Sequence, residues 1–152
     1  MSYIGDLRKH VGSSPLITVG SWLLVVNENN EVLMQLRSDY NSWDFPGGVM
    51  ELGEGIEDVS KRELYEETGL ILDNLEILDV FSGEKTFREY PNGDKLYVVS
   101  VLCLVRRFHG DLKINDDESK ELKWFPVSEI PSNLSPVTAN YIDDIRGILI
   151  GI

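Results

Sequence analysis

Apolar residues recur along this chain in short runs whose period changes repeatedly. Tyr3, Ile4, Leu7 and Val11 recur at helical spacing, which predicts a short amphipathic helix over residues 2–11. Leu16 to Asn27 is dense in Val, Ile, Leu and Trp and predicts a buried strand. Asn27-Glu-Asn-Asn30 is a turn signal and Val32 to Arg37 predicts the returning strand, so the two are expected as a hairpin. Trp43 to Gly48 breaks the pattern. Gly55 to Thr68 is helical in period, with Gly69 where a C-cap belongs. Leu75 to Gly83 predicts a strand, Pro91-Asn-Gly-Asp94 a turn, and Lys95 to Phe108 a long strand ended by Gly110. An acidic loop, Asp116 to Glu121, precedes a short strand over Leu122 to Phe125. Pro126, Pro131 and Pro136 punctuate the next stretch, and Val137 to Leu149 predicts a closing helix. Strands and helices mix without regular βαβ alternation. That predicts an α/β protein of the α+β kind, a mixed sheet packed by helices, and disfavours a doubly wound parallel fold.

The 152 residues suffice for one domain with a sizeable core, and no repeat or linker divides them, so residues 1–152 are expected to form a single domain. The net charge of -12 repels nucleic-acid backbones, and no basic run reverses this locally. A nucleic-acid partner is therefore not expected. An acidic protein handling an anionic substrate needs cations, so a metal is plausible before any motif is considered. The single cysteine, Cys103, sits in an apolar run, where it makes neither an internal disulfide nor a thiolate zinc cage and is expected to be buried and structural. No leader-like start and no membrane-length apolar stretch stands out, so the expected setting is soluble, cytoplasmic and free of membrane contact.

The informative segment runs from Gly48 to Leu70, GVMELGEGIEDVSKRELYEETGL. On a helix, Glu63, Glu66 and Glu67 fall within an arc of about 80 to 100°. Ile56 and Val59 lie on the same side one or two turns earlier, so this acidic face also points toward the core. Like charges at these spacings repel by a few tenths of a kcal/mol each, roughly. They also crowd the C-terminal end of the helix, where the macrodipole prefers cations. Arg62 pairs with Asp58 or Glu66 at most and does not neutralise the cluster. A bound divalent cation reverses the sign of the problem, because hard cations take oxygen ligands and phosphate oxygens together. The alternative is a solvated acidic face held by Asp58–Arg62 and Glu57–Lys61 pairs. Upstream, Pro46-Gly47-Gly48 and Gly53-Glu54-Gly55 form a glycine-rich loop entering the helix, which lets backbone approach a metal or phosphate closely while Glu54 leans over the site.

This segment resembles the Nudix box: G, five residues, E, seven residues, then R-E-U-x-E-E-x-G-U with U aliphatic. Gly48, Glu54, Arg62, Glu63, Leu64, Glu66, Glu67, Gly69 and Leu70 supply every fixed position. The resemblance implies a Nudix-like αβα sandwich with a mixed central sheet. It implies hydrolysis of a nucleoside diphosphate linked to another group, with Mg²⁺, or Mn²⁺ as a substitute. Glu63 and Glu67 would be the main metal ligands, with Glu66 contributing directly or through water, and the carbonyl of Gly47 or Gly48 adding an oxygen. Arg62 would hold a loop glutamate, Glu54 by choice, and not touch substrate. The general base is a box glutamate such as Glu66 or one on the later acidic loop; Glu118 is the choice there, with Glu121 second.

The substrate is less legible. Arg37 and Arg88 are candidates to meet phosphates, and Phe81, Phe87, Tyr90 and Tyr97 to stack on a base, although strand aromatics are more often core. Gly48 is a candidate for close backbone approach to substrate. A proline that often marks ADP-ribose-specific members falls here at Lys85, which weakens that assignment. A tyrosine typical of dinucleoside-polyphosphate hydrolases has no clean match near Phe87, Arg88 and Tyr90. Nucleotide sugars, dinucleoside polyphosphates and (d)NTPs stay open as small-molecule substrates. Two alternatives of other kinds are a catalytically silent nucleotide sensor, disfavoured by the intact set of carboxylates, and an isomerase of the same fold. Dimers are common in such proteins, so a homodimer is compatible with the chain.

Overall fold

The computed structural model describes residues 2–152. Helix α1 (Tyr3–Val11) begins at Ser2, whose Oγ accepts from the Gly5 N–H at 2.9 Å. It buries none of its residues. Polar ties hold it down: the Tyr3 N–H donates to Glu51 Oε1 at 2.7 Å, and Arg8 Nη2 donates to the Lys95 carbonyl at 2.6 Å.

Among the described residues eight strands follow: β1 (Leu16–Val25), β2 (Glu31–Arg37), β3 (Trp43–Asp44), β4 (Gly47–Val49), β5 (Ile71–Phe81), β6 (Phe87–Glu89), β7 (Lys95–His109) and β8 (Ser119–Pro126). The larger sheet has the order β4-β1-β7-β5, with β6 also on β7, and the smaller one β3-β2-β8. β1 and β7 run parallel from Leu16↔Leu96 to Val25↔Val105, whereas β4, β5 and β6 are antiparallel to their neighbours, so the larger sheet is mixed.

Helices α2 (Ile56–Thr68) and α3 (Pro136–Gly151) cover the two faces of this sheet, and the alternation of β1 shows why both are needed. Trp22, Leu24 and Val26 pack with Leu102 and Leu104 of β7 and with Val137, Tyr141, Ile145 and Leu149 of α3. Leu23 and Val25 point the other way, to Val101, Cys103 and Val105 and to Leu64 of α2. Cys103 is fully buried there, and burial pushes its thiol up to about 11, in keeping with a packing role. Among the described residues no helix is long and apolar enough to cross a membrane.

The expected hairpin of β1 and β2 does not form. The chain turns at residues 27–30, but only the bridge Val26↔Val32 joins the two arms, which then part into different sheets. Both sides of β1 are already occupied, by β4 and by ten residues of β7, so β2 pairs with β8 and β3 instead. The irregular stretch after β2 contains the short strands β3 and β4. β5 starts earlier than the apolar pattern suggests because Ile71 pairs with His109 on β7. β8 takes in Ser119 to Glu121 through pairing with β2, which leaves Asp116, Asp117 and Glu118 outside the strand.

Candidate active site

The site is built where β4 slides between β1 and α2. A Cβ on Gly47 would meet the Ser21 carbonyl oxygen at 2.2 Å, and one on Gly48 would meet Glu63 Cδ at 2.4 Å. The two glycines therefore bring β4 tight against β1 and let the Glu63 carboxylate lie across the backbone of Gly48. The next turn of α2 reaches the same strand, since Glu67 Oε2 accepts from the Gly47 N–H at 3.1 Å. Helix α2 ends at once, with Gly69 left-handed at φ 76° and its N–H on the Tyr65 carbonyl. The acidic side chains are thus fixed at a helix end packed against a sheet.

Arg62 organises the carboxylates. Its Nε and Nη2 donate to Glu54 Oε2 and Oε1 at 2.8 and 2.9 Å. Its Nη1 donates to Glu63 Oε1 at 2.8 Å and more weakly to Glu66 Oε2 at 3.4 Å, and Nη2 also reaches the Val49 carbonyl at 3.1 Å. Glu54 Oε1 accepts in addition from the Glu51 N–H at 2.7 Å. Hydrogen bonding to Arg62 holds the Glu54 carboxyl below the usual carboxylate range, and Glu54 in turn raises Arg62.

Glu63 and Glu67 behave in the opposite way. Burial pushes Glu63 up to about 7, against the pull of Arg62, with the charges of Glu66 and Glu118 adding to the rise. Glu67 is 1% exposed, and burial followed by the charge of Glu63 drives its carboxyl well above the ordinary value. Glu67 Oε1 is buried without a hydrogen-bond partner. An orphaned buried acceptor costs ~1–3 kcal/mol, so an acidic pair in this state is a poor structural device. Its oxygens suit a hard divalent cation. Among the described residues no three His, Cys, Asp or Glu side chains are already gathered into a cation cage. Glu63 is hydrogen-bonded to Arg62 and Glu67 to the Gly47 amide.

The other walls bring together most of the remaining candidates. Arg37 clamps Asp39 through Nε and Nη2, both at 2.9 Å. Burial alone would lower Arg37, but Asp39, Asp44 and Glu67 hold it fully charged. A cleft of about 710 Å³ is bordered by Arg37, Gly48, Glu63, Glu66, Tyr90 and Glu118, and residues of α1 close its far side. Partial burial raises the Glu118 carboxyl, with Asp116, Asp39 and Glu66 adding to it and Arg37 opposing. A narrower recess beside Gly47 is lined by Arg37, Arg88 and Asp44.

Three aromatic candidates, Phe81, Phe87 and Tyr97, lie elsewhere. Phe87 packs on Tyr97 at 5.1 Å between centroids and lines a separate recess with Pro136 and Val137, because its register on β6 turns it from the glycine strand. Phe81 stacks on Tyr141 at 4.4 Å inside the core.

The sequence pattern passed over Asp44. It is 2% exposed and accepts from Thr138 Oγ1 at 2.6 Å, the Phe45 N–H at 2.8 Å, Trp22 Nε1 at 3.2 Å and Arg88 Nη2 at 3.4 Å. A lone acid between Trp43 and Phe45 was the available signal, since a charge among core aromatics needs partners.

The NUDIX domain family model matches residues 17–145. A putative 8-oxo-dGTP diphosphatase of Bacillus subtilis is 27% identical over 131 residues, covering 86% of this chain and 81% of that protein. An RNA pyrophosphohydrolase of Actinobacillus pleuropneumoniae is 41% identical over 146 residues, covering 84% and 70% respectively. The crystal structure of a MutT NUDIX hydrolase from Burkholderia pseudomallei superposes with a TM-score of 0.71 at 24% identity, over 86% of this chain and 98% of that one, which shows a shared fold. Nudix hydrolases generally use divalent metal ions. With the family model spanning residues 17–145 and the box intact from Gly48 to Leu70, this chain belongs to the Nudix hydrolase family.

Proposed function

We propose that this protein hydrolyses a phosphoanhydride bond in a small nucleotide-like molecule, a nucleoside diphosphate linked to a further group, with Mg²⁺ as the natural cation and Mn²⁺ as a substitute. The observation that carries this is the buried Glu67 beside the half-buried Glu63, with Glu67 Oε1 lacking any protein partner. Glu63 and Glu67 would hold the cation, with Glu66 joining directly or through water and the Gly47 carbonyl adding an oxygen. Such a cation would supply neutralisation of the diphosphate charge and a more acidic water.

The remaining roles belong to protein groups. Glu54 anchors Arg62, and Arg62 keeps Glu63 and Glu66 oriented. Arg37 and Arg88, each tied to its own aspartate, meet phosphate oxygens, and Gly48, which borders the cleft, offers its backbone to the substrate. Attack of water on one phosphorus forms a new P–O bond and breaks the bridging one. Glu118, whose raised affinity for protons suits a base, accepts the proton that the water loses, with Glu121 as the second candidate. Phe87, which packs on Tyr97 and lines a separate recess, is given no part in this scheme.

The net charge of -12 supports a small substrate over a nucleic-acid chain, although one relative is named for RNA. The test is a screen of purified protein with Mg²⁺ against nucleotide sugars, dinucleoside polyphosphates, ADP-ribose, (d)NTPs and 5′-triphosphorylated RNA. Cation-dependent release of a mononucleotide or of pyrophosphate from a small substrate is expected. Turnover of RNA alone would overturn the substrate class, and no turnover of any of them would overturn the activity.

A further inference from the structure

Strand β1 carries one buried hydroxyl that the fold leaves unused. Ser21 is 5% exposed, and its Oγ has no hydrogen-bond partner. Hydroxyls elsewhere in the interior are spent locally: Ser60 Oγ donates to the Ile56 carbonyl and Thr68 Oγ1 to the Leu64 carbonyl, both at 2.6 Å. An unpaired buried hydroxyl costs ~1–3 kcal/mol, which alanine at that position would avoid.

Register fixes where the hydroxyl points. Ser21 and Gly48 are direct partners across the antiparallel β1/β4 pair. Directly opposed residues present their side chains on the same face, with Cβ positions ~4.5–5.5 Å apart. The Cβ that Gly48 lacks would stand 2.4 Å from Glu63 Cδ and 2.5 Å from its Oε1. The Ser21 side chain therefore stands on the face of β4 across which the Glu63 carboxylate lies. Glu67 meets the neighbouring residue of the same strand through the Gly47 amide, and its Oε1 is a second orphan. A donor without an acceptor and an acceptor without a donor thus flank the same two glycines, and Ser21 lines the narrower recess with both of them.

Resting on the assignment of Glu63 and Glu67 as cation ligands, we propose that Ser21 is a positioning residue whose hydroxyl donates, directly or through one water, to this carboxylate pair and fixes the orientation in which it takes a divalent cation. Arg62 holds Glu63 from the helix, and Ser21 holds the pair from the sheet. A hydroxyl suits this place because it carries no charge to compete with the cation. It acts through the carboxylates and touches no substrate.

The test compares the parent protein with Ser21→Ala and Ser21→Thr, reading Mn²⁺ affinity by paramagnetic resonance without substrate, the melting temperature without metal, and kcat and KM. In Ser21→Ala the Mn²⁺ Kd is expected to rise ~10-fold or more, as for other groups that orient ligands, with a matching fall in kcat. KM for the nucleotide stays at the parental value, and metal-free melting stays at or above it, since an unpaired hydroxyl is lost. Ser21→Thr, which keeps the hydroxyl, holds the parental Kd to within about threefold. Parental Mn²⁺ affinity in Ser21→Ala would overturn the proposal. If that variant fails to fold, Ser21→Cys replaces it: a weaker donor of similar size, it is expected to bind Mn²⁺ less tightly than Ser21→Thr, and equal affinities would overturn the role. A parent protein that binds no Mn²⁺ would instead overturn the cation assignment itself, and this inference with it.

Discussion

Arg62 and Glu54 form a two-pronged ion pair, Nε to Oε2 at 2.8 Å and Nη2 to Oε1 at 2.9 Å, which joins the glycine loop to the middle of helix α2. The same guanidinium reaches Glu63, so the loop, the helix and a proposed cation ligand are set by one side chain. Such a planar fork matches a carboxylate in a way that a lysine ammonium does not.

Arg62→Ala is therefore expected to lower kcat ~10- to 100-fold while KM changes little, because the groups it orients act on the reaction and not on substrate docking. Arg62→Lys restores only a small part. Steady-state kinetics at saturating Mg²⁺ checks this; a raised KM with unchanged kcat would put Arg62 in the binding pocket.

Glu67→Gln removes a ligand charge without changing side-chain size. Mg²⁺-dependent turnover is expected to fall more than ~100-fold. The metal-free melting temperature stays at or above that of the parent, because the substitution removes a buried acid with an orphaned oxygen. Parental activity would remove Glu67 from the cation site.

Gly47→Ala and Gly48→Ala are expected to fail differently. The added methyl at Gly47 meets backbone, the Ser21 carbonyl, at 2.2 Å, so β4 must move away from β1 at a cost of ~1–3 kcal/mol or more. At Gly48 it meets the Glu63 side chain, which swings aside, so folding survives and Mn²⁺ affinity falls. Melting and Mn²⁺ binding measured on both variants separate the two; equal loss of stability would contradict the geometry.

Without metal, Glu63 titrates near 7 and Glu67 also above its ordinary value, in both cases chiefly through burial. The folded state then keeps protons that the unfolded chain has released. The contribution of Glu63 to stability is full below the unfolded value of 4.5 and is lost as pH rises through about 7. Metal-free protein is expected to melt lower at about pH 8 than at about pH 5.5. The stabilisation added by Mg²⁺ should run the other way and grow over this range, since the cation takes deprotonated carboxylates. Thermal melts with and without Mg²⁺ at both pH values check the opposed slopes.

Periodicity made the helices and the long strands legible, because α2, α3, β1 and β7 carry their burial pattern locally. What it missed was decided by partners distant in sequence. β1 and β2 read as a hairpin, yet β1 is claimed on both sides by β4 and β7. β3, β4 and β6 are too short to show a period and exist through pairing. The carboxylate cluster was readable because Glu63, Glu66 and Glu67 are spaced to share one face of α2. Asp44 and Ser21 were not, since their importance comes from Thr138, Arg88 and Gly48, brought to them only by the fold. Phe87 shows the converse, an aromatic near the right stretch of sequence that its strand register turns toward Tyr97.

The most direct measurement is a titration of the substrate-free protein with Mn²⁺, followed by paramagnetic resonance, beside Glu67→Gln under the same conditions. Saturable binding by the native chain, with a large loss of affinity in the variant, is the expected result. A folded native chain that leaves the Mn²⁺ signal unchanged, or a variant that binds as tightly, would contradict the claim that Glu63 and Glu67 are set together to hold a divalent cation.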